Sequence, residues 1–490
     1  MKFQVFEKGK LSGKFELFGA YLFGSDGIAI RRSKISFKKG VVECEKPNLE
    51  TCGLALLWRV GGFGKVLLPT ACLPERDKPY ILNVELARAK LMQIITKRED
   101  WSFFDGMNGS DIFQEAQNLF IQSIQEISNP SKSSMLADSS IEKALVFSER
   151  LANEQAESLF ALRRKNHGFG RGCLGCRIDP LQVKNAKYME KLLGSFNYVT
   201  VPINWGQIEV ERGIYDFEAL DACMKVLGGH RLAICGGPLL RFSKAYLPKW
   251  LLGKKLSFEK VGEAAYEFVS ELVNRYTGQI RVWRVISGLN VFNCLGFSFE
   301  QILEMTRAST MAVKACSERS LKIVEVSNPW GEYYGTSINT LPPIVYMDMV
   351  LQSGISFDAF GLQVHIGKNQ AGMHVRDMMQ ISAVLDNFGL IAKPLYITEV
   401  EVSSEASGAL ESPEVSGVWH KSWDEKRQGE WVEQFYKIAF SKSFVDTVTY
   451  SHLTDVKNSV ISNSGLLRGD METKESFNKL RKLHKGISSH

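Results

Sequence analysis

Titratable side chains stand at or just after the ends of several short apolar runs in the second half of the chain. Glu399 lies near the end of PLYITEV, His365 ends AFGLQVH, and Glu332 follows KIVEVS within the segment NPWGEYYG. Carboxylates and imidazoles are the side chains that most often transfer protons or form covalent intermediates. If these runs are neighbouring strands, their ends form one acid–base site.

The elements that must position these side chains alternate regularly. Between residues 167 and 490, continuous apolar runs are separated by amphipathic, helix-like segments, which indicates a parallel sheet. Eight such units favour a closed (β/α)8 barrel, an α/β fold, over an open doubly wound sheet. The strand candidates are GCLGCRI, YVTVPI, RLAICGG, IRVWRVIS, KIVEVS, AFGLQVH, PLYITEV and TVTYSHL.

A barrel brings the residues after each strand to one mouth, where active sites lie. The candidates at this mouth are Asn204–Trp205, Gly236–Gly237, Ser287–Gly288–Asn290, Trp330–Glu332, Gln363–His365, Glu399 and His452–Asp455.

Two further regions precede the predicted barrel. Residues 1–80 read as short strands punctuated by Gly, Asn and Pro, and this pattern predicts an antiparallel, sandwich-like β-domain. Residues 81–166 carry apolar residues at helical spacing over 81–104, 110–127 and 139–165, with a break at 128–134. We expect a helical connector there.

Composition excludes several classes of protein. The net charge is only +6 over 490 residues, with both signs interspersed, so no nucleic-acid partner is expected. No apolar run approaches membrane-spanning length, and the N-terminus lacks a signal-peptide pattern, so the expected location is the cytoplasm. The nine cysteines include one C-x-x-C, Cys173 and Cys176, which we interpret as core residues. No metal or cofactor is expected.

Six segments, in order, resemble motifs of the family 10 glycoside hydrolases, which are endo-1,4-β-xylanase-like enzymes. They are spread over most of the predicted barrel, and no single one is specific by itself. They are WGQIEVERGIYDFEALDACM at 205–224, GGHRLAI with LPKW at 247–250, VWRVISGLN at 282–290, FGLQVHIG at 360–367, YITEVEV at 396–402, and SGLLRGD at 464–470 with Lys474.

The resemblance implies a retaining mechanism on β-linked saccharides, in which one Glu is the nucleophile and another the acid/base. Glu399 matches the nucleophile, and His365 matches the histidine that would hold it ionised. The acid/base position, however, is occupied by Gly288, with Ser287 before it. The sugar-gripping positions also differ, so a standard xylanase is not expected.

Glu332 is the predicted replacement acid, because it lies in a shaped loop beside the strand-4 loop that lacks its Glu. Glu401 and Asp455 are weaker candidates. Residues expected to contact carbohydrate are Asn204, Trp205, His230, Arg241, Asn290, Trp330, Gln363 and Trp423. Arg241 is predicted to bind hydroxyls or acidic sugars, or else to form a salt bridge. Trp423 belongs to a long insertion, 403–431, of the kind that often forms a lid.

Three functions remain open from the sequence. The first is an O-glycoside hydrolase with altered specificity and a relocated acid. The second is a catalytically impaired barrel that binds carbohydrate or a protein partner. The third is a related enzyme, such as a transglycosidase, that uses Glu399 with a substrate-assisted or self-activated leaving group. The β-domain resembles a carbohydrate-binding module in size, but a packing or dimerisation role stays equally open, as does the oligomeric state.

Overall fold

The computed structural model describes residues 1–101, 110–170, 172–253, 256–405, 413–457 and 459–488. Within these residues, every helix is too short or too polar to cross a membrane. All nine cysteines are free thiols, and Cys173 and Cys176 are buried. No group of three or more His, Cys, Asp or Glu in the described chain is arranged to hold a metal ion.

The N-terminal region is β-rich, as predicted. It forms one four-stranded sheet, a small two-stranded sheet, and three strands of a second four-stranded sheet whose fourth strand comes from a later segment. The predicted antiparallel pairing is wrong for one pair, because Phe3–Gln4 runs parallel to Tyr80–Ile81. The first four-stranded sheet has the order β5-β6-β1-β9, and β7 and β8 are central in the second. Strand β7 is long and almost wholly buried, since its sequence GLALLWRV is apolar on both faces. The strands are β1 (Lys2–Gln4), β2 (Phe6–Glu7), β3 (Lys10–Leu11), β4 (Tyr21–Phe23), β5 (Lys34–Lys38), β6 (Val41–Glu45), β7 (Gly53–Val60), β8 (Gly64–Pro69) and β9 (Tyr80–Ile81).

Three helices follow, α1 (Leu82–Asp100), α2 (Ser110–Gln125) and α3 (Pro130–Lys165). The predicted break at 128–134 is wrong beyond Asn129, because that segment is the N-terminus of α3. The Asn129 side chain caps the helix by accepting a hydrogen bond from the Lys132 amide, and Pro130 occupies the first helical position. Ser and Pro residues here start a helix instead of interrupting one. Residues 102–104 of the first predicted helix lie outside the described residues.

The predicted (β/α)8 barrel is confirmed. Eight parallel strands close on themselves, and each coincides with one of the eight apolar runs in the sequence. In order around the barrel they are β10 (Leu174–Arg177), β11 (Tyr198–Val201), β14 (Ala233–Gly236), β15 (Val282–Ser287), β16 (Leu321–Val326), β17 (Ala359–Ile366), β18 (Leu395–Val402) and β20 (Val445–Tyr450). A small hairpin, β12 (Glu209–Glu211) and β13 (Ile214–Tyr215), follows β11.

Helices follow the barrel strands, and the longer ones bury an apolar face. They are α4 (Ala186–Leu193), α5 (Trp205–Ile208), α6 (Glu218–Leu227), α7 (Lys249–Leu252), α8 (Phe258–Tyr276), α9 (Phe299–Cys316), α10 (Pro343–Gln352), α11 (Met378–Gly389), α12 (Pro413–Ser416), α13 (Glu425–Ser441) and α14 (Glu475–Ser488). Two short 3-10 turns occupy Pro180–Gln182 and Glu332–Gly335.

The insertion after β18 joins the barrel to the N-terminal region. Its strand β19 (Val418–Trp419) pairs antiparallel with β8 and so extends the sheet β19-β8-β7-β4. The Trp419 indole also donates to Glu149 on α3, at 2.8 Å. One hydrophobic core runs from the first strand to the last helix. The three predicted regions, with boundaries at residues 80 and 166, share this core, and their separation into domains stays a prediction.

Candidate active site

Glu399 lies on β18 inside the barrel mouth and is only 3% exposed. Its Oε1 accepts a hydrogen bond of 2.8 Å from Nη2 of Arg284 on β15. The same oxygen lies 3.5 Å from Nη1 of Arg177, on β10. Its Oε2 lies 3.4 Å from Nε2 of His365, on β17. The structure thus brings together Glu399 and His365, as predicted from the sequence, but adds two arginines.

These cations set the charge of the carboxyl. Burial alone would raise the pKa of Glu399. The Arg284 guanidinium, the hydrogen bond with His365, and the charge of Arg177 outweigh burial and hold this pKa well below its usual range. Glu399 is therefore an ionised, tightly held carboxylate.

Arg284, like Arg177, is a site residue that the sequence prediction missed. It is 1% exposed, and its guanidinium also binds Glu325 on β16 through Nε and Nη2, at 2.7–3.0 Å. The Thr398 hydroxyl donates to the same Glu325 carboxylate. Burial would lower the pKa of Arg284, but Glu325 and Glu399 raise it above its usual value. A charged residue inside the apolar run VWRVIS was the available signal.

Glu401 is a further carboxylate in the same interior, two residues after Glu399 on β18. Glu401 is fully buried, and its Oε1 lies 3.0 Å from Nε2 of His452. Its Oε2 accepts from the Ile461 amide at 2.9 Å. Burial would raise the pKa of Glu401, but His452, His365 and Arg177 together outweigh burial and lower this pKa. Arg177 contacts both His452 and Glu399, and so links the two carboxylate clusters.

Position 288 has no room for an acid. Gly288 has a φ of +60°, which an L side chain rarely adopts. A Cβ there would collide with the Ser327 hydroxyl and would lie 2.7 Å from the Phe292 ring. A glutamate at this position therefore requires the side chains of Ser327 and Phe292 to shift.

Asn290 and Gln363 both bind Ser327, the residue that packs against Gly288, and their hydrogen bonds are made within the protein. Asn290 donates to the Ser327 carbonyl at 3.0 Å and to the Tyr333 hydroxyl at 2.6 Å. Gln363 accepts from the Ser327 hydroxyl at 2.5 Å. Both are at most 2% exposed, so their roles here are to hold the loops after β15 and β16.

The environment of Glu332 contradicts its predicted role as the acid. Glu332 is 4% exposed and forms an ion pair with Arg376, while its Oε2 accepts from the Gly372 amide. Nδ1 of His374 lies 3.5 Å away, and burial lowers the pKa of that histidine to about 4. A buried guanidinium stabilises the charged form of a carboxylate, whereas a general acid must carry a proton. Glu332 instead fixes the loop after β17.

Trp330 contacts Arg376, the ion-pair partner of Glu332. The Arg376 guanidinium carbon lies over its ring, 4.1 Å from the centroid. Trp330 lines a cleft of about 870 Å³ between the barrel and the N-terminal sheet, together with Tyr21 and Phe23. Trp330 was predicted to contact a sugar at the mouth, but the structure places it in this cleft.

Two other predicted sugar contacts are wrong. Trp205 is 1% exposed, stacks on Phe268 at 5.2 Å, and donates to Glu209, so it is a core residue. His230 is exposed between α6 and β14. A residue that precedes a barrel strand lies at the end opposite the mouth, so His230 cannot reach the site.

The remaining candidates lie at the mouth. Asn204 follows β11, is partly exposed, and donates to the Ala245 carbonyl at 3.2 Å. Trp423 is 5% exposed and lines a narrow crevice with Lys368. Arg241, after β14, is partly exposed and stacks on two aromatic rings. Sugar binding by these three residues stays a prediction.

A closed parallel barrel with a buried Glu on strand 7, contacted by a His on strand 6, is the arrangement that the resemblance to glycoside hydrolases predicts. Comparison with known proteins agrees. The family model described as Glycosyl hydrolase family 10 matches residues 164–290. Endo-1,4-beta-xylanase B of Thermotoga neapolitana is 22% identical over 273 residues, which cover 55% of this chain and 73% of the relative.

Solved structures agree on the fold. Xylanase 10B from Thermotoga petrophila RKU-1, in complex with xylobiose, superposes with a TM-score of 0.51 and 17% identity, covering 69% of this chain and 98% of its own. Native xylanase 10B from Thermotoga maritima gives 0.50 and 18%, covering 69% and 99%. The chain thus resembles the family 10 glycoside hydrolases and diverges from them. The matched family segment ends at Asn290, before Glu399, so the role of Glu399 is a proposal.

Proposed function

We propose that this chain binds a β-linked oligo- or polysaccharide at the mouth of a family 10-like barrel and that it has lost efficient hydrolysis of ordinary glycosidic bonds. The observation that carries this proposal is the hydrogen bond of 2.8 Å between Arg284 and Glu399. This hydrogen bond restrains the carboxylate that would attack the sugar, and the guanidinium balances its negative charge.

Loss of the acid supports the same proposal. The glycine at position 288 has no proton to give, and the packing of Ser327 and Phe292 leaves no space for a larger side chain. Glu332 is bound by Arg376 and does not replace it. General acid catalysis typically contributes a rate factor of about 10²–10⁴. An ordinary sugar leaving group therefore departs slowly at this site.

The ion pairs of Glu399 also slow hydrolysis. A glycosyl ester on Glu399 would remove the negative charge that Arg284, Arg177 and His365 now contact. Breaking a buried ion pair by losing one partner typically costs about 3–5 kcal/mol. Since Arg284 keeps Glu325 as a partner, the cost here falls below that range but still opposes attack.

Retaining hydrolysis through Glu399 is the second candidate, favoured by the contact of 3.4 Å between His365 and Glu399. It requires a substrate whose leaving group needs no proton, as a transglycosidase with a self-activated donor also would. Such an enzyme cleaves aryl glycosides, and a fluorosugar labels Glu399.

Binding and turnover measured together test the proposal. Isothermal titration of the wild type against neutral and acidic β-linked oligosaccharides should give binding without release of reducing sugar. Lys368→Ala, at the mouth, should weaken binding, while His230→Ala, at the opposite end of the barrel, should leave it unchanged. Turnover of unactivated oligosaccharides, or labelling of Glu399 together with rapid aryl-glycoside cleavage, would favour the hydrolase. Absence of binding across the panel would overturn the proposal.

A further inference from the structure

Arg241 differs from the other arginines of the barrel mouth in having no anionic partner. Arg284 and Arg177 contact Glu399, and Arg376 contacts Glu332. For Arg241, the described residues supply two ring contacts and neither an ion pair nor a hydrogen bond. The guanidinium carbon lies 4.0 Å from the centroid of the Phe292 ring and 4.9 Å from that of Tyr246. Its Nε is buried and has no hydrogen-bond partner.

An unpaired, partly buried guanidinium is costly unless something compensates it. Burying a charged or polar group without a partner is unfavourable, and the two rings supply only a cation–π contact, worth about 0.5–2 kcal/mol. Those rings also hold the guanidinium plane in place. A planar fork of donors fixed in this way is arranged for an acceptor from outside the chain.

The position of Arg241 in the barrel indicates where an acceptor on a ligand would lie. The segment after β14 runs beside the end of β15, with bridges from Leu240 to Ile286 and from Phe242 to Asn293. Leu240 and Phe242 are fully buried, whereas Arg241 between them is partly exposed. Phe292, which lies under the guanidinium, also fills the space beside Gly288. Arg241 therefore adjoins the position of the lost acid.

We propose that Arg241 binds an anionic substituent, a carboxylate or a sulfate, on the saccharide that occupies the mouth. This inference rests on the proposed function, and it narrows the ligand to acidic saccharides. A uronic acid presents a planar carboxylate to the guanidinium fork, and a sulfated sugar presents a tetrahedral anion to the same donors. The nearby carboxylates do not compete, because Glu399 and Glu401 are held by Arg284 and His452.

The test compares three probes by isothermal titration: xylotetraose, the same tetraose carrying a glucuronic acid branch, and a sulfated xylotetraose. We expect the wild type to bind an acidic probe at least about tenfold more tightly than the neutral one, since a charge-assisted hydrogen bond is roughly twice as strong as a neutral one. Arg241→Gln should reduce this preference to less than about twofold, and added salt should weaken it. Preference for one acidic probe over the other identifies the substituent.

Two further variants complete the test. Arg241→Lys keeps the charge without the fork and should retain part of the preference. Arg231→Gln, at an exposed position just before β14 and so at the far end of the barrel, should retain all of it. Equal binding of neutral and acidic probes, or an acid preference that persists in Arg241→Gln, overturns the inference and leaves the proposed function standing. Failure of the wild type to bind any of the three overturns both.

Discussion

Arg284 and Glu399 are joined by a hydrogen bond of 2.8 Å inside the barrel, between side chains that are 1% and 3% exposed. The arginine stands on strand 4, the strand on which the resemblance places the acid, and the glutamate on strand 7, where it places the nucleophile. One ion pair thus spans the barrel between the two strands of the expected catalytic pair. Any account of this protein's chemistry has to include Arg284.

Replacing Arg284 should destabilise the fold strongly. Arg284→Met leaves Glu325 and Glu399 buried without their shared cation, and losing one partner of a buried pair costs about 3–5 kcal/mol. Urea unfolding should measure that loss in the free energy of unfolding. Arg284→Met combined with Glu325→Gln should lose less than Arg284→Met alone, since the second change removes one uncompensated charge. A loss below about 1 kcal/mol in the single variant would contradict the ion-pair account.

Restoring a side chain at position 288 should cost stability. Gly288→Ala meets both an unfavourable φ and the packed Ser327 and Phe292, so we expect a loss of about 2 kcal/mol or more in the free energy of unfolding. Gly278→Ala is the matched control, because Gly278 has a φ of +88° and an added Cβ there would meet no atom within 4 Å. That variant should lose only about 1 kcal/mol. Equal losses in both would mean that the site is not closed by packing.

Glu332 should affect stability and not proton donation. Glu332→Gln removes the partner of the buried Arg376 and weakens acceptance from the Gly372 amide, so a loss of about 3 kcal/mol is expected. Any turnover of aryl glycosides should keep its pH profile, because Glu332 is not the acid. Exposed Glu211→Gln provides the same charge change without a buried partner and should be nearly neutral. A pH profile that loses its acidic or basic limb in Glu332→Gln would restore Glu332 as a catalytic residue.

The barrel was predictable because its strands are buried on both faces and therefore read as continuous apolar runs, each ended by Gly, Pro or polar residues. Positions at strand ends followed from topology, and the resemblance to family 10 motifs singled out Glu399 and His365 among them. The directions of side chains did not follow: Trp205 comes after a strand, as a sugar-binding residue would, but turns into the core against Phe268. Contacts between distant segments could not be predicted from the sequence either. Examples are the ion pair of Arg284 with Glu399 and the pairing of β19 with the N-terminal sheet.

Asp138 on α3 should make stability fall as the pH rises. Burial raises its pKa to about 7, although hydrogen bonds from Asn83 and Trp58 act in the opposite direction. In the unfolded chain an Asp titrates near ~4. Between these values the folded protein holds a proton that the unfolded chain has lost, so its stability declines from about pH 4 to pH 7 and then levels off.

The variant Asp138→Asn removes this penalty while keeping an acceptor for Asn83. At about 1.4 kcal/mol per pKa unit, and allowing for partial exposure, it should be more stable than the wild type by about 2–4 kcal/mol at pH 8. At pH 4 the two proteins should be nearly equal. Thermal unfolding at both pH values measures the difference, with Asp77→Asn, an exposed position, as the control that changes net charge equally. The same gain at both pH values would show that Asp138 does not titrate as described.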